Sequence, residues 1–279
     1  MNFKLCAFAD EAGKSLTEQI AALMDNSIRL LEIRNVDGEN IAEISESKAY
    51  QIKSALDTNG IKVFSVGSPL GKVKITDNFE QHKKTFLHIL KLCKIFECKR
   101  VRIFSFFTDK HDKYRSEVIA RLAEMVRIAG ENDINLYHEN EKNIYGDTAE
   151  RVIDLAKSVP GLKFIYDPAN YVQVGQDIDA ALNTVFDFSE YFHIKDAIKK
   201  TGEVVPAGEG DGKIEKLLRL IDKEAVLTIE PHLAIFDGYG KIDVNEMKNK
   251  YYFKSNREAF DCAVTALKNL IKKCGKEVK

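Results

Sequence analysis

The strongest constraint on this chain is a unit that recurs eight times: a short apolar run, then a segment whose apolar positions repeat at helical spacing. The runs are Phe3–Ala9, Leu30–Arg34, Ile61–Val66, Arg100–Phe106, Asn135–Glu139, Leu162–Tyr166, Tyr191–Ile194 and Ala225–Glu230. Helical spacing follows in Ser15–Asn26, from Ile41 and Ile44 through Ile52 and Leu56 to the stop at Asn59-Gly60, in Asn78–Phe96 and in Tyr114–Asn132. It continues in a segment capped by Asp147 and ended by Pro160-Gly161, in Asp177–Phe186, around Ile214, Leu217, Leu218 and Ile221, and in Asn256–Lys273. Parallel strands need helical crossovers, and no Pro/Gly/Ser-rich linker divides the chain. The pattern predicts one α/β domain over residues 1–279, a (β/α)8 TIM barrel. The competing doubly wound sheet lacks its sign, an early glycine-rich dinucleotide fingerprint.

Barrel enzymes place their chemistry at the C-terminal ends of different strands, and four runs here end in polar groups. They are Tyr137-His138-Glu139-Asn140, Tyr166-Asp167-Pro168, Tyr191-Phe192-His193-Ile194-Lys195-Asp196 and Ile229-Glu230-Pro231-His232. Closure would bring Glu139, Asp167, His193 and Glu230 to one side of the mouth. Three carboxylates in one place repel unless a cation joins them. Three oxygen donors with one imidazole and no thiolate suit a divalent ion such as Mn²⁺, Mg²⁺ or Co²⁺ better than a structural zinc.

Composition narrows the function. With 42 basic and 43 acidic residues and a formal charge of -1, there is no overall basic field for a nucleic acid, and no interleaved basic and aromatic stripe. No run of about 18 apolar residues suggests a membrane span, and the N-terminal run meets Asp10 and Glu11 too soon for a signal peptide, so a cytoplasmic location is expected. Five scattered cysteines without paired CxxC motifs are expected to be reduced thiols, several of them buried.

Taken together, Glu139-Asn140, the Tyr166 to Asn170 segment, His193-Ile194-Lys195-Asp196, the Pro206 to Gly212 loop and Glu230-Pro231-His232 resemble the sugar phosphate isomerase/epimerase superfamily. These are the xylose-isomerase-like TIM barrels, which also include ketose 3-epimerases, inosose dehydratases and AP endonuclease family 2. The resemblance spans the chain, most strongly from Glu139 to His232. It implies one divalent ion held by Glu139, Asp167, His193 and Glu230, with Mn²⁺ first and Mg²⁺, Co²⁺ or Zn²⁺ as alternatives. It also implies that Glu139 and Glu230 act as acid and base on a small carbohydrate, exchanging a proton beside a carbonyl through an enediolate. Asn170 departs from the epimerases, which often carry histidine three residues after the aspartate. Lys195 offers the chemistry of the alternative, a dehydratase acting on a keto-sugar or keto-inositol by protonating a leaving hydroxyl; otherwise it is a surface lysine paired with Asp196.

Substrate contacts are expected from His232, Asn170, Arg34, Arg102 and Lys72, with Ser68 nearby, although internal salt bridges to groups such as Glu32 would equally account for the arginines. Gly208, Gly210 and Gly212 suggest a phosphate nest, but Glu209 and Asp211 would repel phosphate, which favours an unphosphorylated sugar or cyclitol. An AP endonuclease needs more histidines than the six present, and a non-enzymatic barrel has no use for the four-residue set. A homodimer is a family-level expectation.

Overall fold

The computed structural model describes residues 2–236 and 251–279. Eight parallel strands close on themselves: β1 (Asn2–Ala7), β2 (Leu30–Ile33), β3 (Lys62–Gly67), β4 (Arg100–Ile103), β5 (Asn135–Glu139), β6 (Lys163–Tyr166), β7 (Ser189–Ile194) and β8 (Ala225–Ile229). Each pairs with the next, and β8 returns to β1 in the register Leu5 opposite Leu227 and Ala7 opposite Ile229. Among the described residues the helices are α1 (Leu16–Asp25), α2 (Glu46–Thr58), α3 (Phe79–Ile95), α4 (His111–Glu131), α5 (Ala149–Ser158), α6 (Pro168–Gln173), α7 (Ile178–Val185), α8 (Ile214–Leu220) and α9 (Asn256–Lys273). None is long and apolar enough to cross a membrane.

Alternation along the strands creates two cores. Outward residues such as Leu31, Ile33, Val101, Ile103, Phe192 and Leu227 are buried against helix faces carrying Phe86, Ile89, Leu122, Met125, Phe260 and Leu267. A smaller cluster, Tyr137, Ile165 and Tyr191 with Phe64 and Val226, stands apart from it. It comprises inward positions, two residues before Glu139, Asp167, His193 and Thr228 on their strands. The barrel is filled from below by aromatic and aliphatic side chains, and its polar positions lie nearer the C-terminal end. All five cysteines are free, and Cys6, Cys93 and Cys98 are buried.

Several boundaries differ from those the sequence suggests. Helix α2 begins only at Glu46, where Ser45 Oγ accepts the Lys48 amide at 3.1 Å, so Ile41 and Ile44 belong to the preceding loop. Thr148, rather than Asp147, caps α5, and the Asp147 carboxylate pairs instead with Arg151. Strand β4 stops at Ile103 because the chain turns to bond the loop after β3: Phe104 N–H donates to Leu70 O (2.8 Å) and Phe106 N–H to Gly71 O (2.9 Å). Gly71 permits this approach, with φ at +85° and a Cβ position that would fall 2.0 Å from the Phe104 carbonyl oxygen. Helix α6 was not foreseen, although Asp167 followed by proline is a strong start signal: Asp167 Oδ1 accepts the Asn170 amide at 3.2 Å. A short strand, Glu277–Val278, also pairs with the beginning of β1.

Candidate active site

Strands β5 to β8 each bring one donor to the mouth: Glu139 ends β5, Asp167 and Glu230 directly follow β6 and β8, and His193 lies one residue before the end of β7. One ligand atom from each lies within 4.8 Å of the others, and all four residues are buried. His193 Nδ1 is 3.2 Å from both Glu139 Oε1 and Glu230 Oε2. Among the described residues, His193 Nδ1, Asp167 Oδ2 and Glu230 Oε2 are fully enclosed without a well-formed hydrogen bond, and Asp167 Oδ2 has only the Lys195 ammonium, at 2.9 Å. Enclosed polar atoms converging on one point are costly unless a cation joins them. The donor set therefore fits a divalent ion, with no sulfur donor and with the second ring nitrogen of His193 already bonded elsewhere.

Charge points the same way. Five buried carboxylates, those of Asp10, Glu11, Glu139, Asp167 and Glu230, share three buried cations, Arg34, Arg102 and Lys195, and a sixth, Glu32, is buried beside them. Burial pushes the Asp167 carboxyl up to about 7 against the pull of Lys195, and the charges of Glu139 and Glu230 push it the same way. Burial likewise lifts Glu11 to about 8 despite Arg34. Glu230 goes the other way: Lys195 and His193 outweigh its burial and hold it well below the usual carboxylate range. Glu139 and Glu32 outweigh the burial of His193 and raise it well above an ordinary imidazole, the response of a base that faces a surplus of negative charge.

The cationic residues proposed from sequence all lie at this mouth, each already matched to acid groups. Arg34 does not pair with Glu32. Its guanidinium forks onto Asp10 (2.9 and 3.0 Å), meets Glu11 at 3.0 Å and reaches Glu230 Oε1 at 2.9 Å, sandwiched between Phe8 and Phe236. Arg102 holds Glu139 Oε2 at 3.2 Å, and Lys72 pairs with Glu141 at 2.8 Å. Lys195 is no surface lysine bound to Asp196: it is buried and sits between Asp167 Oδ2 and Glu230 Oε2, the latter 3.6 Å away.

The uncharged candidates are placed as follows. Asn170 Nδ2 donates to Asn140 O at 2.7 Å and approaches Glu139 Oε1 at 3.4 Å. Ser68 Oγ turns away to Arg102 O. His232 has Nε2 3.4 Å from Glu11 Oε1 and 3.6 Å from Glu230 Oε1, and burial with Lys195 nearby keeps it neutral. His138 points outward, bonded to Ser105 Oγ at 2.9 Å.

The glycine loop holds an anion, but the chain's own. Amides of Gly208 and Gly210 donate to Asp196 Oδ2 (2.9 and 3.1 Å), and those of Gly212 and Ala197 to Oδ1 (2.8 and 2.9 Å). Asp10, Glu11, Glu141 and the buried Glu32 were not singled out as site residues from sequence. Acidic residues directly after β1 and β5 were the available signal for the first three, while Glu32 lies inside a strand and offers none.

A closed parallel barrel with carboxylates and an imidazole converging at its C-terminal mouth defines the class: a TIM barrel with a candidate metal centre. Within it the chain belongs to the xylose isomerase-like TIM barrel family, whose model matches residues 23–237. No curated protein matches the chain in sequence. Among solved structures it resembles the IOLI protein with a bound zinc atom at a TM-score of 0.77 and 15% identity, covering 97% of this chain and 98% of that one. It also resembles a D-psicose 3-epimerase determined in the presence of D-fructose (TM-score 0.73, 16% identity, 98% and 99% covered). A third similar structure is the probable 3-DHS dehydratase AsbF of Bacillus anthracis (TM-score 0.72, 14% identity, 96% and 98% covered).

Proposed function

We propose that this protein is a divalent-metal-dependent isomerase or epimerase of a small, uncharged carbohydrate, moving a proton at a carbon beside a carbonyl. The observation that carries the reading is the convergence of two glutamates on one point: Glu139 Oε1 and Glu230 Oε2 each lie 3.2 Å from His193 Nδ1. Glu139, Asp167, His193 and Glu230 hold the ion, which when bound supplies Lewis acidity to the substrate's neighbouring oxygens. Glu230, kept ionised by Lys195, takes the proton from carbon, and Glu139, once it has taken up a proton from solvent, returns one to the same carbon. His232 and Asn170 offer ring and amide groups to substrate hydroxyls.

Substrate charge follows from the pairing of the cations. Arg34, Arg102, Lys195 and Lys72 are each matched to carboxylates, and the glycine nest is filled by Asp196, so a phosphate would displace existing pairs. A second reading, dehydration of a keto-sugar or keto-inositol, rests on the buried Lys195 ammonium as proton donor to a leaving hydroxyl, and one similar structure is that of a probable dehydratase.

The deciding experiment loads the purified chain with Mn²⁺ and incubates it with ketoses and ketoinositols in D₂O, followed by NMR. Deuterium entering beside the carbonyl, lost in Glu139→Gln and Glu230→Gln, supports proton transfer. An epimer or isomer identifies the first reading and an unsaturated ketone the second. An ion-loaded protein that exchanges no proton on any of these substrates would refute both.

A further inference from the structure

Glu32 lies in the barrel interior beneath the candidate ion site, fully enclosed. The register of β2 on β3 shifts between Leu31 and Glu32, which sets Glu32 opposite Ser65, and on the far wall Thr228 is in register with His193. The Glu32 carboxylate receives three side chains there. Tyr191 OH donates to Oε1 at 3.2 Å, Thr228 Oγ1 donates to Oε2 at 3.2 Å, and His193 Nε2 meets Oε2 at 3.1 Å. Tyr191 OH in turn lies 3.3 Å from Ser65 Oγ. Arg34, two residues along the same strand, is committed to Asp10, Glu11 and Glu230. Among the described residues Glu32 therefore has no arginine or lysine partner, and its one ion-pair contact is His193.

We infer that Glu32 is a positioning residue: by accepting from His193 Nε2–H it fixes that ring tautomer and aims the Nδ1 lone pair at the ion held with Glu139, Asp167 and Glu230. The inference rests on the metal reading above. An ionised carboxylate only accepts, so the ring proton must sit on Nε2 and the other nitrogen is left to bind. Tyr191 and Thr228 hold the carboxylate in place, and the Phe8 ring, perpendicular to the imidazole with centroids 5.3 Å apart, restricts the ring's tilt. The negative charge behind the ring also makes Nδ1 a stronger donor than a neutral amide would.

The test uses the full chain labelled with [¹⁵N]histidine and loaded with Zn²⁺, a diamagnetic probe. Long-range ¹H–¹⁵N spectra of the wild-type protein should show His193 protonated at Nε2 with the ion on Nδ1. Chelator competition should give a Zn²⁺ affinity lower by about 10–100-fold in Glu32→Gln, because an amide can face the ring with either its oxygen or its nitrogen and leaves the tautomer unfixed. Tyr191→Phe should lower it less. An ion on Nε2, or a Glu32→Gln affinity within about twofold of wild type, overturns the inference while leaving the metal site intact. A wild-type chain that binds no more Zn²⁺ than His193→Ala overturns the metal reading and this inference with it. If Glu32→Gln does not fold, the wild-type spectrum decides alone.

Discussion

Acid stability provides a quantitative test remote from the chemistry. His82 is buried on α3, stacked on Phe79 and edge-on to Phe106, and its Nε2 accepts the Gly71 amide at 3.1 Å. That bond requires a neutral ring. Burial, with Arg121 nearby, lowers the His82 pKa from 6.5 to about 4, opposed only weakly by Asp77. Between these values the unfolded chain holds the extra proton and the folded chain does not. Stability due to the neutral ring is therefore complete above about pH 6.5 and is lost progressively as pH falls towards 4. At ~1.36 kcal/mol per pKa unit the loss is about 3 kcal/mol, a sizeable part of the 5–15 kcal/mol typical of a folded domain. His82→Gln keeps an acceptor for the Gly71 amide but cannot titrate. Urea unfolding at pH 4 to 7 should show the wild type falling more steeply than the variant, with the gap closing by about 3 kcal/mol towards pH 4, while other groups cancel in the comparison. Parallel pH profiles would refute the assignment of a neutral, amide-accepting His82.

Other expectations follow from the same geometry. Arg34→Met leaves Asp10 and Glu230 buried without their shared guanidinium and should cost about 3–5 kcal/mol in urea unfolding; a loss below about 1 kcal/mol would mean that the guanidinium does not offset buried charge there. Gly71→Ala forces a side chain into positive φ and against the Phe104 carbonyl, and should destabilise by about 3 kcal/mol, read from thermal melting; an unchanged melting temperature would contradict the loop geometry. Glu139→Gln should slow deuterium exchange into substrate by about 10²–10⁴-fold, and a rate within tenfold of wild type would remove Glu139 from proton transfer.

The barrel and its four convergent donors were legible in the sequence because both obey short-range rules: alternation sets strand faces, helical spacing sets the crossovers, and polar residues at strand ends mark the mouth. What escaped depends on partners distant in the chain. Asp10 finds Arg34 across 24 positions and Glu32 finds His193 across 161, and neither pairing has a local signature. Lys195 read equally well as a surface group because adjacency to Asp196 hides that successive side chains on an extended strand diverge, Asp196 turning to the glycine amides and Lys195 to Asp167. The end of β4 was misjudged because Phe104 to Phe106 have strand-like composition, while their backbone groups are taken by the loop after β3.

The self-filled glycine nest has a consequence for how the enzyme would meet its ligand. A glycine-rich loop is the segment with the most freedom to lose, and a loop that closed on an incoming anion would lose that freedom at each binding event. Here four amides converge on a carboxylate that is part of the same chain, so the ordering cost falls once, during folding. The wall beyond β7 is thereby preorganised, and affinity at that wall should depend on shape rather than on induced closure.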